Sequence, residues 1–216
     1  MTTVRDRVRR TQAQRRDESE RLLVEAMLEI VSAQGVSAAT FEEIGRKAGV
    51  SRGLATQHFG SKRGLIAAVI AHLHRKREEA LQSVMTARTT PFQGVIHYIE
   101  SHLLAQEREQ DGRAYFMLLA STVADVTMHR ELFAASHQRV REHLYRLLKA
   151  AQKAGEISEN VDCDATALTI GSLLLGASMQ KLVDPNTNLE PVAKAATTIL
   201  NNAVSPQRKR IIPDNS

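Results

Sequence analysis

The sequence predicts an all-α protein, and three observations carry that expectation. Gly (11) and Pro (5) are few, and aromatic residues make up only 4%, which disfavours a turn-rich β sandwich. No segment alternates apolar with polar residues as a half-buried strand would. Apolar residues recur instead at three- and four-residue spacing, in segments separated by Gly, Pro or capping residues. With 216 residues, 43% hydrophobic and 25% charged, the chain can bury a core without staples.

Residues 1–16 hold Arg5, Arg7, Arg9, Arg10, Arg15 and Arg16 against one acid, Asp6, with no apolar periodicity. This predicts a flexible basic arm. From Asp17 onward, Leu22, Leu23, Ala26, Met27, Ile30 and Val31 recur at helical spacing, and Gly35 stands where a left-handed C-terminal cap is needed. Thr40-Phe41-Glu42-Glu43 has the form of a capping box opening a second helix, which Gly49 stops. Ser51 offers another N-cap, and Arg52 to Phe59 is long enough for a third helix before Gly60. Two short helices joined by a tight Gly-containing turn make a helix-turn-helix, the core of a three-helix unit over residues 17–64.

Ser61 caps again, and Leu65, Ile66, Val69, Ile70 and Leu73 predict one long connecting helix from Lys62 to Met85. Further helices are expected at 91–108, with Pro91 at the first position, and at 113–125. Three more follow at 128–154, stopped by Gly155, at 163–183, stopped before Pro185, and at 189–203. These form a second helical unit over 65–204, and residues 205–216 read as a frayed tail.

The net charge of +5 is unevenly spread: residues 1–77 carry 15 Lys/Arg against 8 Asp/Glu (+7), residues 78–216 carry 14 against 16 (−2). Such asymmetry points to a polyanion-binding front end followed by a neutral ligand or partner module. No stretch approaches the roughly 20 uninterrupted apolar residues of a membrane span, and the start lacks a signal core, which predicts a cytoplasmic protein. Enzyme signals are missing: there is no Gly-x-Ser-x-Gly elbow, and Gly60-Ser61-Lys62 lacks the Gly-Lys-Ser/Thr order of a phosphate loop. No His stands four residues from another, so the helical two-His metal spacing is missing. The lone Cys163 sits between Asp162 and Asp164, which oppose a thiolate. The expectation is a protein that is not an enzyme and uses no cofactor or metal.

The segment from Thr40 through Ile44-Gly45-Arg46-Lys47-Ala48-Gly49-Val50-Ser51, continuing to Phe59-Gly60-Ser61-Lys62 and Leu65, resembles the DNA-binding domain of the tetracycline-repressor (TetR) family. The resemblance covers residues 20–70. It implies that the first short helix packs across the second and touches the DNA backbone, while the second enters the major groove. Arg52, Gly53, Leu54, Thr56 and Gln57 would then face the bases. Gly53 permits close approach, Gln57 suits an adenine edge, and Arg52 can fork onto a guanine or a phosphate. Thr40, Ser51, Ser61 and Lys62 are placed for caps and phosphate contacts. At Thr56 and His58 the family has an aromatic residue, usually Tyr; His58 can still donate to a phosphate. The arm's arginines either enter a minor groove or stay solvated.

Beyond residue 80, the order of helices resembles the ligand-binding and dimerisation domain of the same family. The resemblance implies that the last two helices pair with their mates in a four-helix bundle, for which Leu168, Gly171, Leu174, Leu175, Ala177 and Ser178 offer packing residues. Candidate pocket residues are His97, Tyr98, His102, Tyr115, Phe116, Met117, Met128 and His137. With no Trp, an apolar or flexible effector is favoured over one needing aromatic stacking. The expected protein is a homodimeric, ligand-responsive regulator, a repressor that binds a pseudo-palindromic operator and is released by a small molecule. The alternative is a DNA-bound structural or adaptor protein whose C-terminal domain binds a protein partner and would lack a closed pocket.

Overall fold

A computed structural model describes residues 11–84, 86, 88–108, 110–124 and 129–206. Among them are nine α-helices and no strand: α1 (Gln12–Gln34), α2 (Phe41–Ala48), α3 (Arg52–Phe59), α4 (Lys62–Val84), α5 (Pro91–Arg108), α6 (Gln110–Ala124), α7 (Arg130–Lys153), α8 (Cys163–Val183) and α9 (Leu189–Val204). A 3-10 turn at Val36–Ala38 joins α1 to α2. Arg5, Arg7, Arg9 and Arg10 of the expected arm, Met85, and the tail from residue 207 lie outside the described residues.

The starts of α1 and α6 and the cap of α2 differ from the sequence reading, α6 beginning at Gln110 and not at 113. α1 begins at Gln12, so Arg15 and Arg16 lie on a helix and not in an arm. Its start is a reciprocal cap: the Thr11 hydroxyl accepts from the Gln14 N–H at 3.2 Å, and the Gln14 side-chain oxygen accepts from the Thr11 N–H at 2.9 Å. The first turns are exposed on every side, so apolar periodicity has nothing to register there. At Thr40 only half of the expected box forms. The Thr40 hydroxyl accepts from the Glu43 N–H at 3.2 Å, but the Glu43 carboxylate turns to the Arg46 guanidinium, with Nε donating at 2.9 Å. The Thr40 N–H donates instead to the Ala38 carbonyl at 2.9 Å. Gly35 has φ +90° and ψ 169°, outside the left-handed helical basin, whereas Gly49 at φ +71° and ψ 25° lies within it.

Two buried clusters organise the molecule. The first joins Leu23, Met27 and Ile30 of α1, Ile44 of α2, Ala55 of α3, and Leu65 and Val69 of α4. It continues without a break into Ala114, Phe116 and Leu118 of α6 and Phe133 of α7, so α1 lies directly on α6. The second contains Ile99 and Leu103 of α5, Leu144 and Leu148 of α7, Leu174 of α8 and Leu200 of α9. Each such leucine, fully buried, contributes about 1.5–3 kcal/mol of transfer free energy. A carboxylate from another part of the chain fixes the start of α5. Glu156 Oε2 accepts from the Thr90 hydroxyl at 2.6 Å and the Phe92 N–H at 3.0 Å.

α8 is, among the described residues, the one helix long and apolar enough by length and composition to cross a membrane. Here it is a member of the helical domain, packed on α7, α5 and α6. Its Thr166, Thr169, Ser172 and Ser178 hydroxyls return to carbonyls four residues back, which satisfies them within the helix. Only 22% of its most apolar stretch is buried, so much of the helix faces outward.

Candidate nucleic-acid interface and regulatory cavity

The turn between α2 and α3 depends on one buried glycine. The Val50 N–H donates to the Gly45 carbonyl at 2.9 Å, and a Cβ on Gly45 would stand 2.9 Å from the Val50 carbonyl oxygen. This close approach sets α2 across α3. Ser51 caps α3 by accepting from the Leu54 N–H at 3.1 Å, and Ala55, fully buried, turns into the first core. The opposite side of α3 is left outward: Arg52, Gly53, Thr56 and Gln57 are exposed, Leu54 and His58 half-buried. A Cβ on Gly53 would meet only the Ser51 Oγ, at 3.9 Å, so the fold itself does not require that glycine.

Around α3 the polar groups divide into engaged and open ones. The Thr56 hydroxyl donates to the Arg52 carbonyl at 3.0 Å, and Ser61 accepts from the Gly64 N–H at 3.2 Å. Lys62 Nζ rests against the Val36 carbonyl at 3.4 Å. On α2, Arg46 pairs with Glu43 and holds its carboxyl below the usual range, and Lys47 pairs with Glu29 at 2.6 Å. Thr40 is exposed at the α2 N-terminus.

A cavity of about 400 Å³ lies between α4, α5, α6, α7 and α8. It brings together Tyr98, His102, Tyr115, Phe116 and His137 from the sequence-predicted set. His97 is not among the lining residues: one residue before Tyr98 on α5, it faces Glu100 at 3.9 Å on the outer side, because neighbouring helical positions point about 100° apart. Met117 likewise packs into the first core and not into the cavity. Met128 lies outside the described residues. Sequence reasoning missed Leu73, His74 and Arg77 of α4 and Ser136 of α7, all in the wall. The three α4 positions share one helix face, but they lie in a run dominated by charge, Arg75-Lys76-Arg77, which masks that face.

Two hydrogen-bonded groups line the cavity. The Arg77 guanidinium donates to His102 Nδ1, so the imidazole proton resides on Nε2, which meets the Ser178 hydroxyl at 3.2 Å. The Ser178 hydroxyl in turn donates to the Leu174 carbonyl at 2.8 Å. Burial pushes the His102 pKa well below its ordinary value, and the Arg77 charge adds to this. In the second group, His74 Nε2 lies 2.7 Å and the Tyr115 hydroxyl 3.0 Å from Ser136 Oγ. Burial lowers the His74 pKa to about 4, with Arg139, Arg77 and His137 contributing, and burial raises that of Tyr115. The Tyr115 ring meets those of Phe116 and Phe133 edge-on at 5.1 and 5.3 Å. No group of three His, Cys, Asp or Glu able to hold a metal occurs among the described residues.

The outer face of α8 and α9 exposes Leu168 (51%), Val183 (80%) and Ile199 (64%), Leu168 standing with Gly171 also at the edge of the cavity. Gly171 and Gly176 open onto free space, and Leu175 and Ala177 are half-buried. Leu174 and Ser178, expected on the pairing face, are instead 2% exposed and point inward. With Ala167 and Ile170 they form the inner stripe at three- and four-residue spacing, opposite the stripe that Leu168 begins.

Comparison with known proteins agrees with both halves of this architecture. Residues 23–69 match bacterial regulatory proteins of the tetR family, and residues 97–204 match the C-terminal domain of BetI-type transcriptional repressors. The HTH-type transcriptional regulator BetI of Rhizobium meliloti (strain 1021) is 32% identical over 158 residues, 72% of this chain and 78% of that one. The HTH-type transcriptional regulator SrpR of Pseudomonas putida is 27% identical over 165 residues, 74% of this chain and 73% of its own. Among solved structures, SmeT, the repressor of the Stenotrophomonas maltophilia multidrug efflux pump SmeDEF, superposes with a TM-score of 0.72 at 19% identity, covering 88% of this chain and 93% of SmeT. The helix-turn-helix unit, the helical domain behind it and these matches make this chain a member of the TetR family of transcriptional regulators.

Proposed function

We propose that the protein is a homodimeric repressor that binds a pseudo-palindromic operator through α3 and is released when a small molecule enters the cavity. The observation that carries this reading is the sharing of elements between cavity and reading unit. α4 starts beside α3 and supplies Leu73, His74 and Arg77 to the cavity wall. Phe116 of α6 belongs both to that wall and to the first core, where α6 lies on α1. An occupant of the cavity therefore touches two helices that also hold the reading unit. A partly open, largely apolar cleft between five helices fits a small-molecule effector better than a protein surface.

The outward face of α3 supports the DNA half. Gln57 presents donor and acceptor, Arg52 a fork, and Gly53 an open approach that the fold does not need for itself. Lys62 can leave its weak contact at Val36 for a phosphate. Duplexes selected from a random library by the full chain provide the test. Gln57→Ala should relax preference at one base pair per half-site, at a cost of about 1–3 kcal/mol. Lys62→Ala should weaken selected and random duplexes alike. Equal losses on both kinds of duplex for Gln57→Ala would remove it from base reading.

A further inference from the structure

We infer that the cavity takes an organic anion, a carboxylate with an apolar body, whose head pairs with Arg77. This rests on the reading of the cavity as the effector site and specifies its chemistry.

Among the described residues the charges around the cavity do not balance. α4 contributes His74, Lys76 and Arg77, α5 His102, α6 Asp111, and α7 His137 and Arg141; α8 adds no charge to the lining. Lys76 pairs with Asp111 at 2.7 Å, and Arg141 pairs with Asp164. Arg77 has no carboxylate partner among the described residues: it donates to the neutral His102 and lies with its guanidinium carbon 5.9 Å over the Tyr98 ring. A half-buried cation without a counter-charge is costly, and an incoming anion relieves that cost.

The local hydrogen bonds fix which partner fits. His102 Nδ1 takes one of the five guanidinium N–H groups, and the chain from His102 to Ser178 to the Leu174 carbonyl locks that imidazole neutral and in place. Arg77 is thereby held from one side with donors to spare, the arrangement that receives a planar carboxylate through a fork. Around it the wall is apolar, with Leu73, Phe116, Val140, Ala167, Leu174 and Leu175. A cation finds no equivalent welcome. The one lining carboxylate among the described residues, Asp111, is bound to Lys76, and the Tyr98 face that could receive an ammonium is already under Arg77. The volume, about 400 Å³, lies at the lower end of the range of small-molecule pockets, which suits a compact ligand.

Calorimetric titration of the full chain, without DNA, with decanoate, 1-decanol and decyltrimethylammonium below their micellar concentrations tests this. Decanoate should bind about tenfold or more tighter than decanol, because a charge-assisted hydrogen bond replaces a neutral one, and decyltrimethylammonium should bind weakest. Arg77→Met should bring decanoate to within about threefold of decanol, whereas Arg77→Lys should keep much of the preference. Should Arg77→Met fail to fold, as melting would reveal, the ligand ranking on the unaltered chain still decides. Equal affinity for decanoate and decanol, a preference for the ammonium, or no binding by any of the three overturns the inference. Measuring release from selected duplexes separately distinguishes it from the effector reading. Anion-selective binding that leaves DNA affinity unchanged upholds the site and refutes effector control. Release by a ligand bound without charge preference does the reverse.

Discussion

His74 shows how one side chain ties the cavity to stability. It reaches from α4 to Ser136 on α7, and burial among cationic neighbours holds its pKa near 4. The unfolded chain takes up that proton near the ordinary value of 6.5, so as pH falls the unfolded state gains protons first. Stability is therefore complete well above pH 6.5 and is lost progressively as pH falls from there toward 4. The downward shifts at His102, His137 and His143 act in the same direction. Thermal melts should show a falling midpoint from pH 7 to 5, and His74→Gln, which keeps a partner for Ser136, should flatten that slope. An unchanged slope in His74→Gln would mean that His74 titrates in the fold as it does in water.

At the scale of elements, the start of α5 is held by a residue 64 positions away, since Glu156 accepts from the Phe92 N–H and from Thr90. Glu156→Ala leaves that amide and hydroxyl without their acceptor and should cost about 1–3 kcal/mol. Hydrogen exchange should quicken in the first turn of α5 while the α3 amides stay as they were. Equal acceleration in both would indicate global destabilisation instead. Such a cap leaves no local trace in the sequence, and it was not legible there. The helix-turn-helix was, because Ser51, Gly49 and Gly60 act on residues within one turn of themselves. α8 gave its length but not its inward face: its small and branched residues are apolar on both sides, so periodicity could not separate Leu174 from Leu168. The cavity was half legible, with aromatic and His residues of α5 and α6 standing out and those of α4 hidden in a charged run.

At the scale of the whole molecule, the exposed stripe of Leu168, Val183 and Ile199, with Gly176 open beside it, is the face we assign to a two-fold partner. Gly176→Arg should convert the dimer to a monomer in sedimentation at micromolar concentration, and a persistent dimer would move the interface elsewhere. On the proposed reading pairing matters, because release from paired half-sites requires a change in the separation of two α3 helices. α4 and α6 offer the route, one running from α3 to Arg77 and the other resting on α1 while lining the cavity through Phe116. A ligand can shift this only through unequal affinity for the two arrangements. A coupling of about 1–3 kcal/mol corresponds to a 5- to 150-fold change in DNA affinity. Linkage is reciprocal, so selected operator DNA must weaken ligand binding by the same factor that the ligand weakens DNA binding. Calorimetry of one ligand with the free chain and with the DNA-bound chain measures that factor directly. Phe116→Leu should reduce it while leaving cavity binding within a few-fold, since it loosens a buried side chain of the first core that also stands in the cavity wall. An undiminished factor in that variant would mean that the coupling does not run through Phe116.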